Sequence, residues 1–148
     1  MIYWFIGQPG AGKTTMAKKL KAYLEKEYTS QVFHIDGDDI RILLDNQDYS
    51  KEGRIKNITF AQGLAEYVNR YGNVVVSVVT PYLDVREKFK SKMDQRMIEI
   101  YVTTKDIRGR EHFHVQDFES PEDKYILLDT TDISIEDAFN QLKEDLAI

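Results

Sequence analysis

The segment Gly7-Gln8-Pro9-Gly10-Ala11-Gly12-Lys13-Thr14 constrains this chain more than any other. It satisfies G-x-x-x-x-G-K-(S/T) in full. Before it lies Ile2-Tyr3-Trp4-Phe5-Ile6, an apolar run that reads as a strand buried on both faces. After it, Met16, Leu20, Tyr23, Leu24 and Tyr28 fall at helical spacing. A strand, a glycine-rich turn and a helix N-terminus in that order make a phosphate cradle. Glycines let backbone N–H groups turn inward, and the helix adds its partial positive charge. Lys13 would reach the outer phosphates of a nucleotide, and the Thr14 hydroxyl would hold Mg²⁺. Gly7 to Thr15 are therefore the expected residues around the phosphates of ATP. Lys13 is expected to be exposed and to pack against little.

The rest of the chain alternates in the same manner. Gln31–Asp36, Val74–Val79, Met97–Val102 and Tyr125–Leu128 read as strands. Helical patterns fill about Lys51–Tyr71, Leu83–Lys92 and the stretch after Ser134, where Ser134 and Asp137 look like a capping box. Residues 103–124 are polar, carry Gly109 and Pro121, and show no sustained period, so they read as a lid-like loop. The pattern predicts an α/β fold: a three-layer α/β/α phosphate-loop NTPase, nucleotide-kinase-like, with a five-stranded, mainly parallel sheet. One kinase domain over 1–148 is expected, with its site at the carboxyl ends of the strands.

Composition narrows the function. The 148 residues carry 20 Lys and Arg against 25 Asp and Glu, a net charge of −5. That balance disfavours a nucleic-acid or membrane-surface binder, whose footprint is basic. No Cys is present, which removes disulfide scaffolds, thiolate zinc sites and a catalytic thiol. Met1 leads directly into a core strand with no basic leader or cleavage pattern, and no apolar run reaches the length of a membrane span. The expectation is a cytoplasmic protein. Asp36-Gly37-Asp38-Asp39 closes the second strand. Phosphoryl transfer needs carboxylates there, one to assist Mg²⁺ and one to orient or deprotonate the attacking hydroxyl. No N-K-x-D guanine reader is present, which favours a metabolite kinase over a GTPase. His112 and His114 read as exposed lid residues, and His34 as a packed or hydrogen-bonded core residue.

Several segments resemble the adenylylsulfate kinases. His34-Ile35-Asp36-Gly37-Asp38-Asp39-Ile40-Arg41 resembles that family's D-G-D-N-(V/I)-R. Tyr49-Ser50-Lys51-Glu52-Gly53-Arg54-Ile55-Lys56-Asn57-Ile58 resembles F-S-x-x-D-R-x-x-N-I, and Thr80-Pro81-Tyr82 resembles S-P-(Y/F). Phe113-His114-Val115-Gln116-Asp117 with Phe118-Glu119-Ser120-Pro121 resembles F-T-G-I-D and P-Y-E-A-P, and Leu127-Leu128-Asp129-Thr130 resembles L-x-L-D-T. The resemblance implies transfer of the ATP γ-phosphate, with Mg²⁺, to the 3′-hydroxyl of adenosine 5′-phosphosulfate, a step of sulfate assimilation. It implies Lys13, Asp36 and Asp38 as catalytic residues, and Thr14 and Asp36 on the metal. Asp38 would contact the 3′-hydroxyl as base or orienter, Arg41 and Arg54 would hold the phosphosulfate, and Asn57 would hydrogen-bond the substrate. Tyr49 and Phe113 would sandwich the substrate adenine, with the backbone around Val79 and Thr80 lining the same pocket. A homodimer is compatible with this reading; a membrane or nucleic-acid partner is not expected.

The chain also departs from the pattern. Asn57-Ile58-Thr59-Phe60 stands for N-I-R-R, Thr80-Pro81-Tyr82-Leu83 for S-P-(Y/F)-R, and Gly53 for an aspartate. Only Thr103 to His112 fills the place of a helix and a basic lid segment, where Lys105, Arg108 and Arg110 are the available cations. The alternatives are a related small kinase acting on another hydroxyl, of a nucleoside, a modified base or a polynucleotide 5′-end, and a nucleotide-binding protein with degenerate catalysis.

Overall fold

The computed structural model describes residues 1–148. Five strands form one sheet in the order β2-β3-β1-β4-β5: β1 (Ile2–Ile6), β2 (Val32–Asp36), β3 (Asn73–Ser77), β4 (Met97–Thr103) and β5 (Tyr125–Asp129). Every pairing is parallel, so the sheet is more uniform than the mainly parallel one expected. Strand β1 occupies the centre, and all five of its residues are buried. Its alternation feeds two apolar layers. Ile2, Trp4 and Ile6 face α3 (Lys51–Val68) and α4 (Leu83–Met93); Tyr3 and Phe5 face α1 (Lys13–Tyr28) and α5 (Ile135–Leu146). A central parallel strand covered by helices on both sides must be apolar on both faces, which accounts for the unbroken run that opens the chain.

Local signals set the ends of the helices. Ser134 accepts the Asp137 N–H at 3.0 Å and caps α5, and Ser50 caps α3 through Gly53 N–H. A short helix missed by the sequence reading, α2 (Gly37–Leu43), starts directly at the end of β2. Asp36 is its N-cap, accepting the Asp38 N–H at 3.0 Å. The D-G-D-D run is thus a capped helix start rather than an acidic turn. Strand β3 ends at Ser77, two residues earlier than expected, so Val78 to Thr80 curl over the carboxyl edge of the sheet. No helix is long and apolar enough to cross a membrane.

Candidate active site

The phosphate loop links the end of β1 to the start of α1, at the carboxyl edge where the order of strands reverses. Two glycines are sterically required. Gly7, at φ 144°, would place a Cβ 2.3 Å from the Val102 carbonyl oxygen, so it lets the loop leave β1 against β4. Gly10, at φ 84°, would place a Cβ 2.9 Å from the Arg110 Cβ, so it lets the lid descend onto the loop. Lys13 differs from expectation. It is only 7% exposed, and its ammonium donates to the Gln8 carbonyl at 2.8 Å. Burial pushes its pKa down to about 8, against the opposing pull of Asp36 and Asp38 and with a further push from Arg110.

Beside the loop, Asp36 gathers hydrogen bonds. Its Oδ2 accepts the Thr14 hydroxyl at 2.8 Å and the Ser77 hydroxyl at 2.6 Å, and its Oδ1 accepts the Asp38 N–H. Burial pushes this carboxyl up, but the three donors outweigh burial and hold it below the usual carboxylate range. Asp38 lies one residue into α2 and faces the same cleft.

One cavity of about 800 Å³ joins Lys13, Thr14, Asp36 and Asp38 to Arg41, Tyr49, Arg54, Asn57, Val79 and Phe113. The folded chain therefore brings together most of the residues singled out from sequence, across five separate segments. Asn57 is 4% exposed. Its Nδ2 donates to the Gly37 carbonyl at 3.4 Å, and its Oδ1 has no hydrogen-bond partner. A buried amide oxygen without a donor is costly unless a ligand supplies one. Arg41 stacks its guanidinium 3.9 Å from the Tyr49 ring centroid, while donating to the Asn46 and Asp48 carbonyls. Arg54 donates from Nε to the Tyr49 carbonyl. The Tyr49 ring is thus clasped by cations, and Phe113 packs against His112 at 3.9 Å; both rings are more than half exposed.

With this geometry in view, comparison with known proteins is direct. The family profile for adenylylsulphate kinase matches residues 1–113. The chain belongs to the adenylylsulphate kinase family. A probable adenylyl-sulfate kinase of Pyrococcus abyssi is 38% identical over 101 residues, covering 67% of this chain and 57% of that protein. A cytidine diphosphoramidate kinase of Campylobacter jejuni is 28% identical over 101 residues, covering 68% of this chain and 59% of that protein. The chain thus spans little more than half the length of these relatives. The structure of a Mycobacterium tuberculosis APS kinase in complex with AMPPNP and APS superposes with a TM-score of 0.81 at 20% identity, covering 99% of this chain and 97% of that one. That likeness shows the shared fold.

The match to the adenylylsulphate kinase profile stops at Phe113, inside the lid. From there to β5 the chain is mostly loop and closes by polar contacts. Arg108 donates to the Ala11 carbonyl at 3.1 Å and the Thr130 carbonyl at 3.0 Å. Arg108, Arg110, His112 and His114 all line the main cavity, whereas Lys105 does not. A second cavity of about 320 Å³ adjoins the loop between Gly12, Thr15, Arg108, Thr130, Ile133 and Ile135. The lid arginines had no sequence period to mark them; their place opposite Gly10 is visible only in the fold. Two further expectations need correction. Thr80 is 1% exposed and absent from the cavity wall, because its hydroxyl accepts the Trp4 indole N–H at 2.9 Å and donates to the Val78 carbonyl. Gln8 turns its amide away from the phosphate side, donating to the Val115 carbonyl and accepting the Val115 N–H, both at 2.8 Å. Gly7 and Ala11 are buried.

The base of the lid is held by a buried ionic cluster. Arg86 and Glu99 are each 1% exposed, with Nε and Oε1 3.1 Å apart but misaligned for a hydrogen bond. Arg86 also donates to the Thr80 carbonyl at 2.6 Å and to the Glu119 carbonyl, and Lys90 bridges Glu99 to the Asp123 carbonyl at 2.8 Å.

Proposed function

We propose that the protein is a kinase of 1–148 that transfers the γ-phosphoryl group of ATP to the 3′-hydroxyl of adenosine 5′-phosphosulfate. What carries this reading is the single cavity that runs from the phosphate loop to the unpartnered Asn57 Oδ1, with Asp38 between them. ATP phosphates would sit in the loop against Lys13 and under Arg108 and Arg110, with the donor base in the smaller cavity by Thr130 and Ile133. The acceptor would occupy the other end, its anionic group on the Arg41 and Arg54 forks and its base between Tyr49 and Phe113.

Asp38 takes the proton as the 3′-oxygen attacks the γ-phosphorus; the bond to the β-phosphate oxygen breaks, ADP leaves, and the proton is later released to water. Lys13, Arg108 and Arg110 neutralise charge that accumulates on the transferring group. No cluster of three or more His, Asp or Glu side chains forms a closed metal cage. An open donor set of one hydroxyl, Thr14, and one ionised carboxylate, Asp36, fits Mg²⁺, which completes its shell with phosphate and water. Bound there, Mg²⁺ would screen the phosphate charge. Work in the cytoplasm, within sulfate assimilation, is consistent with this reaction.

The test is ADP release with ATP, Mg²⁺ and adenosine phosphosulfate, with the product identified by mass. Equal yields of ADP and 3′-phosphorylated product are expected. Turnover of a cytidine nucleotide carrying a diphosphate end, with none of adenosine phosphosulfate, would assign the acceptor site to a different nucleotide. ATP hydrolysis without any acceptor product would overturn the kinase assignment.

A further inference from the structure

Two polar residues beneath the phosphate loop have no part in the reaction just described. Ser77 and His34 lie on the face of the sheet that carries α1, a layer otherwise filled by Tyr3, Phe5, Val32 and Val75. Strand register puts them there. Asp36 pairs with Ser77 across β2 and β3, and His34 sits two residues before Asp36 on the same face. Polar side chains in an apolar layer cost stability unless they are fully bonded. These are bonded, in a line. His34 Nε2 lies 2.9 Å from Ser77 Oγ, Ser77 Oγ lies 2.6 Å from Asp36 Oδ2, and the same Oδ2 receives the Thr14 hydroxyl at 2.8 Å.

The direction of that line follows from counting protons. Asp36 accepts three donors and keeps none of its own, so Ser77 gives its single hydroxyl proton to Oδ2. The Ser77 oxygen then accepts, and His34 Nε2 must carry the proton it receives. A chain of donors polarised in one direction strengthens each link. Its end point fixes the rotamer of Asp36, and through the shared Oδ2 it fixes where the Thr14 lone pairs point.

We infer that Ser77 and His34 are positioning residues that hold the Asp36 carboxylate and the Thr14 hydroxyl in one arrangement for the cation of the donor nucleotide. The inference rests on the donor half of the proposed function and is independent of which acceptor is used. Outer partners that orient metal-binding groups are worth roughly 10- to 100-fold in affinity or activity.

Manganese with ADP is the probe. Mn²⁺ is titrated into the protein at saturating ADP, and free Mn²⁺ is read from its electron paramagnetic resonance signal. Ser77→Ala and His34→Phe are expected to weaken Mn²⁺ binding about tenfold. His34→Gln, whose amide N–H can donate to Ser77, is expected to stay near wild type. In steady state, the half-saturating Mg²⁺ concentration should rise in the same two variants while the acceptor KM holds. Thermal melting without cation identifies any variant that has lost its fold; should Ser77→Ala do so, the His34→Phe and His34→Gln pair decides. Unchanged Mn²⁺ affinity in a folded Ser77→Ala or His34→Phe overturns the inference. Equal weakening in His34→Phe and His34→Gln removes His34 from it. No acceptor enters the Mn²⁺ measurement, so its failure is separable from failure on adenosine phosphosulfate.

Discussion

On one side of the main cavity, functional side chains hang from strand ends and helix starts; on the other, residues 104–124 hold theirs by a handful of polar contacts. The first wall is dense. Lys13 and Asn57 are nearly inaccessible, and Asp36 receives three donors. In the lid only Val115 and Pro121 are buried, while Arg108, Arg110, His112 and Phe113 stand in the open. Geometry for chemistry needs a rigid support, whereas substrate entry and product exit need a part that opens at low cost. The contrast divides the labour: the sheet-borne wall should govern the chemical step, and the lid should govern binding. Substitutions on the two walls should therefore separate kcat from KM.

Asp38→Asn gives the largest expected effect. It removes the proposed general base and should lower kcat by about 10²–10⁴. ATP affinity should change little if Asp38, which lines the main cavity, serves the acceptor as proposed. Pre-steady-state ADP formation checks this; lost ATP affinity with intact kcat would move Asp38 to the metal side.

Lys13→Met comes next, with a loss of about 10²–10³ in kcat, the scale of removing one donor to developing charge. Its stability should move the other way. The folded pKa, about 8, lies below the ordinary value of 10.5, so the unfolded chain binds the proton more tightly. Stability of the wild type should thus rise as pH climbs from about 8 toward 10.5, and at pH 7 the buried charge costs the fold up to roughly 3 kcal/mol. Lys13→Met should melt higher than wild type at pH 7, and the difference should shrink above pH 9. In the wild type, kcat/KM for ATP should fall as pH rises through about 8, as Lys13 of the free enzyme loses its proton.

Much of the rigid wall was legible in the sequence because short-range rules build it. The phosphate motif, the alternation of strands and helices, and the segment from Tyr49 to Asn57 each carry their own spacing, and the fold brings them to one cavity. Helix α2 was missed although Asp36 is a favourable N-cap followed by two acidic residues, because Asp and Gly also signal turns. Thr80 was misplaced for a tertiary reason: the Trp4 indole, seventy-six residues away, claims its hydroxyl. Lys13 looked exposed because a motif says nothing about what closes over it. The lid was the least legible part. Arg108 and Arg110 have no period, and what gives them a role is contact with Gly10, Ala11 and Thr130, distant in sequence.

An intermediate effect is expected from the two rings, which sit on opposite sides of the comparison. Tyr49→Ala and Phe113→Ala should each cost about 1–3 kcal/mol of stacking, or tenfold to a hundred-and-fifty-fold in acceptor affinity, with ATP affinity held. Tyr49 is already clasped by Arg41, so its loss should also loosen the arginine proposed to hold the acceptor's anionic group and have the larger effect of the two. Calorimetric titration of adenosine phosphosulfate into the three proteins ranks them; equal affinities would remove both rings from the acceptor site.

The smallest expected effect probes the hinge between the walls. Gln8 belongs to the phosphate loop by sequence but spends its amide on the lid, giving and receiving a hydrogen bond with the Val115 backbone at 2.8 Å each way. Val115 is one of only two buried side chains of the lid, with Pro121, so the two bonds pin the lid at a well-packed point. Gln8→Leu keeps the size of the side chain and removes both bonds. Once opened, the Val115 N–H and C=O can bond to water, so the net loss is about 1 kcal/mol, or roughly fivefold in the closed population. Because a looser lid weakens the grip on the donor without disturbing Asp38 or Lys13, the KM for ATP should rise about fivefold. kcat should hold, or increase where lid opening limits product release. Hydrogen exchange at the Val115 amide gives the direct reading: it should quicken by a similar factor in Gln8→Leu, while amides of β1 keep their protection. Unchanged exchange at Val115 would mean that Arg108, and not the phosphate loop's own glutamine, holds the lid down.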